Sequence, residues 1–70
     1  MSTVIKSHTE NGIYVVMEAR GNLVVIEACQ CQEDNRCGYP VATSQVYSIK
    51  DKKNAEATFR RYVKKYCKGE

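Results

Sequence analysis

Residues 13–29, Ile-Tyr-Val-Val-Met-Glu-Ala-Arg-Gly-Asn-Leu-Val-Val-Ile-Glu-Ala-Cys, decide the fold. Two apolar stretches, Ile13–Ala19 and Leu23–Cys29, flank Arg20, Gly21 and Asn22. Gly-Asn between β-branched runs predicts a two-residue primed turn, because both residues tolerate positive φ. With Gly21 and Asn22 as the loop, Ala19 faces Val24, Met17 faces Ile26 and Val15 faces Ala28. All six are apolar and Ile13 extends their face, so alternation and turn chemistry select the same register.

Upstream, Thr3-Val-Ile-Lys-Ser-His-Thr9 reads as another strand, at a sheet edge because it has few apolar residues. Glu10-Asn11-Gly12 as a three-residue loop puts Gly12 at the left-handed position such loops need. That register sets Ile5 opposite Met17 and Ser7 opposite Val15. Downstream, residues 32–38 form a charged, mobile loop, and Tyr39 to Tyr47 reads as a fourth strand. Pro40 is confined to the beginning of that strand or to an edge.

The remaining sequence turns helical. Ser48-x-x-Asp51 resembles a capping box, with Asp51 as the alternative N-cap. Ala55, Phe59, Tyr62, Val63 and Tyr66 recur at three- and four-residue steps as one apolar stripe, and the helix ends near Gly69. The expected fold class is therefore α+β: a small antiparallel meander of three to four strands packed against one C-terminal helix, β-β-β-β-α, in a single domain over residues 1–70. Helix on sheet buries both apolar faces. The expected core is Ile5, Ile13, Val15, Met17, Val24, Ile26 and Ala28 under Ala55, Phe59, Tyr62, Val63 and Tyr66.

Bulk composition narrows the function classes. A chain of 70 residues buries only about 60% of its unfolded surface. It gains from a staple such as a disulfide, a metal or a second subunit. An apolar fraction of 43% with 27% charged residues argues against disorder. There is no transmembrane run, and Met1-Ser-Thr-Val-Ile-Lys-Ser-His8 has no apolar signal-peptide region, so the expected location is the cytoplasm and no membrane partner is expected. The net charge of +3 is unevenly spread. Residues 1–47 carry three bases (Lys6, Arg20, Arg36) against five acids, and residues 48–70 carry eight bases against three acids. An acidic-leaning sheet with a basic helix points to an anionic partner.

That charge lies on one side. With Phe59 inward and about 100° per residue, Lys50, Lys53, Arg60, Arg61, Lys64, Lys65 and Lys68 fall on the outer half. Glu56 sits at the boundary, where it can pair with Arg60 at i+4. A single-sign stripe repels itself and suits nucleic acid or an acidic protein surface. The plain alternative is a solvated face whose late cations complement the helix dipole.

The hairpin's other face gives a second candidate. Tyr14, Val16, Leu23 and Val25 form an apolar cluster pointing away from the helix, a candidate protein interface covered by a second copy or another protein. Its plain alternative is that the fourth strand or the 32–38 loop folds over it.

Other chemistry is thinly represented. Cys29, Cys31, Cys37 and Cys67 are weak candidate zinc ligands, with His8 as a possible fourth. Cys29 and Cys31 share a strand face but stand about 6.6 Å apart, wider than a zinc knuckle, so reduced thiols are expected, with a disulfide as the alternative beside zinc. His8 has no Cys, Ser or Asp at a meaningful spacing. Tyr14, Tyr39 and Tyr47 are candidate stacking platforms for bases, with core or edge packing the expected role of Tyr47. No phosphate loop, carboxylate pair or nucleophile motif occurs. No enzyme activity, cofactor or small-molecule substrate is therefore expected.

The order of short strands, charged loop and a helix opening Ser48-Ile-Lys-Asp-Lys-Lys-Asn-Ala55 distantly resembles the sheet-plus-helix DNA-binding modules at the start of phage and transposon integrases. In such modules the sheet enters the major groove. Here the outer sheet face carries Glu18 and Glu27 beside Arg20, so the family is not assigned. Two functional expectations remain. One is a non-enzymatic module that binds nucleic acid or another polyanion through Lys53, Arg60, Arg61, Lys64, Lys65 and Lys68. The other is an adaptor or inhibitor, such as a phage or mobile-element accessory protein, that docks or dimerises through the outer hairpin face.

Overall fold

The computed structural model describes residues 2–31 and 37–69. Among these residues five antiparallel strands precede the helix: β1 (Ser2–Glu10), β2 (Ile13–Arg20), β3 (Leu23–Cys31), β4 (Cys37–Pro40) and β5 (Gln45–Ser48). A 3-10 turn (Ile49–Asp51) leads into α1 (Lys52–Tyr62), which ends in a π turn (Val63–Cys67). The sheet order is β1-β2-β3-β4, and β5 also pairs with β3, against its first half. This is the expected α+β meander with one C-terminal helix on its sheet.

The β2–β3 register is the expected one, with Ala19 opposite Val24, Met17 opposite Ile26 and Val15 opposite Ala28. Gly21 has φ +61°, while Asn22 is not left-handed. Positive φ at the first central position alone is the type II′ pattern.

The β1 register differs from expectation. Asn11 (φ 54°) and Gly12 (φ 77°) are both left-handed, so they form a two-residue turn of type I′ character. Glu10 stays in the strand opposite Ile13, which places His8 opposite Val15 and Lys6 opposite Met17. A bulge between Val4 and Lys6 absorbs the slip, and Ile5 still packs on the core.

The expected fourth strand is divided. Pro40 closes β4, and Val41 and Ala42 turn in to pack on the core before β5 begins. The Val41 amide still donates to the Ala28 carbonyl at 2.9 Å. Of the expected 32–38 loop, only Cys37 and Gly38 are described, and they open β4; residues 32–36 lie outside the description.

At the helix start both expected residues occupy cap positions, but the reciprocal capping box is not formed and Asp51 makes no side-chain bond to a helix amide. Ser48 Oγ accepts from the Lys50 amide at 3.3 Å and caps the 3-10 turn. Asp51 is the N-cap residue of α1 and accepts from the Asn54 side chain at 2.7 Å. At the other end, Gly69 has φ +72°, the left-handed closure that follows many helices.

The core contains all twelve expected residues and adds Cys67, Val41, Ala42 and Tyr47. Cys67 enters through the π turn, in which the Lys68 amide bonds the Val63 carbonyl at 3.1 Å. An i→i+5 turn advances each residue by less than the usual ~100°. Cys67 is thereby rotated inward from the flank it would occupy on a regular helix. The shortest dimension, 17 Å, corresponds to one sheet and one helix layer, and among the described residues no second helix covers the outer sheet face.

Candidate functional site

All seven expected cations of the outer helix face, Lys50, Lys53, Arg60, Arg61, Lys64, Lys65 and Lys68, are exposed. Among the described residues, Lys50, Lys53, Arg60, Arg61 and Lys68 make no ion pair. Lys65 Nζ lies 5.3 Å from the centroid of the Tyr66 ring, a cation–π contact that holds its stem against the helix.

The expected Glu56–Arg60 pair is not formed. Glu56 Oε1 instead lies 3.9 Å from Lys6 Nζ. The β1 bulge explains this, because it brings Lys6 to the helix side opposite Met17. The contact also orients the helix: its Glu56 flank faces β1. The opposite flank faces β5 and the segment before it, where Tyr47 and Thr58 hydroxyls meet at 2.6 Å and the Tyr62 hydroxyl donates to the Thr43 carbonyl at 2.8 Å. Arg60, Lys53 and Lys64 follow Glu56 outward on the β1 side, whereas Lys65 lies beyond Thr58 on the other.

The outer sheet face is less open than expected. Val16 is only 3% exposed and Val25 only 7%, and neither belongs to the helix-side core. Charged residues flank them on that face. Arg20 Nη2 donates to Glu27 Oε1 at 2.9 Å, and its Nε lies 3.4 Å from Glu18 Oε2. Glu18 stands opposite Val25 and Glu27 opposite Val16, so this ion cluster borders both valines on the outer face. Tyr14 is half-buried. Leu23 (47%) remains exposed, and Val46 (56%), opposite Val25 on β5, joins it. The expectation missed Val46 because β5 was not recognised as a separate strand on the β3 edge.

The cysteines do not assemble into a four-thiol site. Cys29 is disulfide-bonded, contrary to the expected reduced thiols; the side chain of Cys37 lies outside the description, and Cys31 and Cys67 are not in disulfides. Cys29 is buried on the outer face. Its Sγ lies 3.6 Å from the Tyr14 carbonyl, a packing contact, since a disulfide sulfur has no proton to donate. Cys67 is buried in the helix-side core and points its Sγ at the Ile13 carbonyl, 3.6 Å away. Burial pushes the Cys67 thiol up from its ordinary 9.0, the Glu10 charge adds to this, and a backbone hydrogen bond from Glu10 opposes it. A buried neutral thiol is a poor nucleophile. His8 Nε2 lies 2.8 Å from Glu10 Oε1. No group of three or more His, Cys, Asp or Glu among the described residues converges as a metal site.

Among the aromatics, Tyr47 packs on the core as expected. Tyr62 and Tyr66 meet edge to face at 5.5 Å. Tyr39 is 77% exposed. Among the described residues no helix is long and apolar enough to cross a membrane. No family model, no curated protein and no solved structure matches the chain.

Proposed function

We propose that this chain is a non-enzymatic nucleic-acid-binding module that contacts the phosphate backbone through its helix. One observation carries the reading: Lys53, Arg60, Arg61, Lys64, Lys65 and Lys68 are all exposed on one helix face with no acid among them. They span about 22 Å of helix axis. Chemistry separates nucleic acid from an acidic protein. Protein interfaces are built on apolar and aromatic anchors and are depleted in Lys. Among the described residues the exposed large apolar side chains are Val4, Leu23, Tyr39, Val46 and Ile49, all outside α1 and its π turn. Phosphate binding needs charge and no such anchor.

The cytoplasm is the proposed setting. A reducing compartment would open the disulfide at Cys29, which lies on the sheet face away from the basic helix.

The test is a fluorescence anisotropy titration of short labelled duplexes and single strands across a salt series. Micromolar binding with a steep negative salt slope, lost when Arg60, Arg61, Lys64 and Lys65 are changed together to Gln, is the expected result. No binding at about 50 mM salt would overturn the reading.

Exposed Leu23 and Val46 favour a second reading, a protein-binding or self-associating outer sheet face. Val16 and Val25 are buried, so a charge at either would unfold the sheet and inform nothing. Leu23→Glu with Val46→Glu is the informative pair: an unchanged native mass and unchanged partner capture would remove this reading.

A further inference from the structure

We infer that nucleic-acid binding by the helix is one-sided: a duplex phosphate backbone lies along the β1 flank, with Lys6 of the sheet edge as an additional binding residue. This rests on the nucleic-acid reading above and specifies its site.

The two helix flanks differ chemically. On the β1 side the side chains run outward as Glu56, Arg60, Lys53 and Lys64, and Lys6 meets Glu56 from below at 3.9 Å. Four cations from two elements thus share a flank that carries a single carboxylate, and Lys6 is the one in contact with it. On the other side Tyr62 and Thr58 are spent on the Thr43 carbonyl and the Tyr47 hydroxyl. Of the two cations towards that flank, Arg61 sits near the back of the helix and Lys65 is drawn onto the Tyr66 ring. A phosphate row therefore meets more positive charge on the β1 side.

Glu56 is the part of this arrangement that needs explaining. Lys53 at i−3 and Arg60 at i+4 are both placed to pair with it, yet the contact made is with Lys6. Both partners are substantially exposed, at 48% and 35% of their side chains, so the pair is weak and screened. An approaching phosphate competes with Glu56 for Lys6 on nearly even terms. Exchanging the carboxylate for a phosphate adds Lys6 to the contact set without moving the backbone. Glu56 thereby lowers affinity and keeps Lys6 extended towards the helix.

The experiment measures binding of a short labelled duplex by the full chain, with far-UV circular dichroism and thermal midpoint recorded for each variant. Glu56→Gln is expected to tighten binding on the order of three-fold, and Arg60→Gln to weaken it by a similar factor. The deciding variant is Lys6→Gln placed in the Glu56→Gln background. There Lys6 has no ion pair left to lose, so a purely structural role predicts silence. The proposal predicts a further loss on the order of three-fold and a salt slope shallower by about one. Lys65→Gln is expected to change affinity by less than about 1.5-fold.

If the wild-type chain binds but Lys6→Gln is silent in that background, or Lys65→Gln costs as much as Arg60→Gln, the one-sided site is overturned and the general reading stands. If the wild-type chain binds no duplex at low salt, the general reading falls. Poly-glutamate competing as strongly as the duplex would overturn the assignment of phosphate as the ligand.

Discussion

Asn11 Nδ2 donates to the Cys67 carbonyl oxygen at 2.6 Å, so the tip of the first hairpin closes the last turn of the helix. The two residues are 56 positions apart in sequence. The π turn leaves late carbonyls without helical partners, and Asn11 satisfies one of them from outside. Asn11 also holds φ 54°, which Asn tolerates and Ala does not. Asn11→Gly should keep the turn and lose the bond, at a cost of about 1 kcal/mol. Asn11→Ala should lose both and cost about 2–3 kcal/mol. Urea unfolding with an unchanged slope would measure the difference; a Gly variant as stable as wild type would mean the long-range bond contributes nothing.

Tyr47 and Thr58 tie β5 to the other side of the helix. Their hydroxyls are 2.6 Å apart, and Thr58 is the buried polar residue of the helix. Tyr47→Phe leaves the Thr58 hydroxyl unsatisfied and should cost about 1–3 kcal/mol. Thr58→Val combined with Tyr47→Phe removes both polar groups at nearly constant shape and should recover most of that loss. A double-mutant cycle with no coupling would show that water replaces the missing partner.

Both hairpin turns lie in dipeptides visible in the sequence, and their outcomes show where sequence reasoning reached and stopped. Gly21-Asn22 worked because the apolar alternation of β2 and β3 confirms the turn independently. Asn11-Gly12 is an equally strong turn signal, but β1 has too few apolar residues to report a register. A bulge near Ile5 then hid the one-residue slip. From that slip follows Lys6, a site candidate the stripe on the helix could not reveal. The basic face itself was legible, since charge at helical spacing needs only the period. The burial of Val16 and Val25 was not, because alternation alone places them on the outer face and does not report how closely that face is packed. The inward turn of Cys67 was likewise hidden, because regular helical spacing does not foresee a π turn.

Cys67 should couple stability to alkaline pH. Its thiol titrates above 9.0 in the folded chain, mainly through burial and secondarily through Glu10. The folded state therefore holds the proton more tightly than the unfolded state. That contribution is fully present below pH 9.0 and is lost as pH rises through the raised native value. Unfolding stability should fall more steeply with pH above this point in wild type than in Cys67→Ala. Parallel profiles for the two proteins would contradict the shift. Iodoacetamide should label native Cys67 slowly, at a rate set by opening of the π turn.

The disulfide at Cys29 and the basic helix should be separable. Cys29 is buried on the outer sheet face, outside the cluster that joins sheet to helix. With Cys31 and Cys67 outside disulfides, the denatured, unreduced chain should titrate two thiols of its four cysteines; four would mean that the bond is absent. Reduction should lower stability by about 2–4 kcal/mol, the usual worth of a disulfide. In a chain this small that is a large share of the total, so the urea midpoint should fall clearly. Helical circular dichroism in the absence of urea should nonetheless persist, because Ala55, Phe59 and Cys67 pack on Val15, Met17 and Ile26 without help from Cys29. Duplex affinity should then stay within about two-fold on reduction, with phosphate contacts still set by charge on the helix. Loss of helix signal and duplex binding together on reduction would show that the sheet cannot hold the helix without the bond.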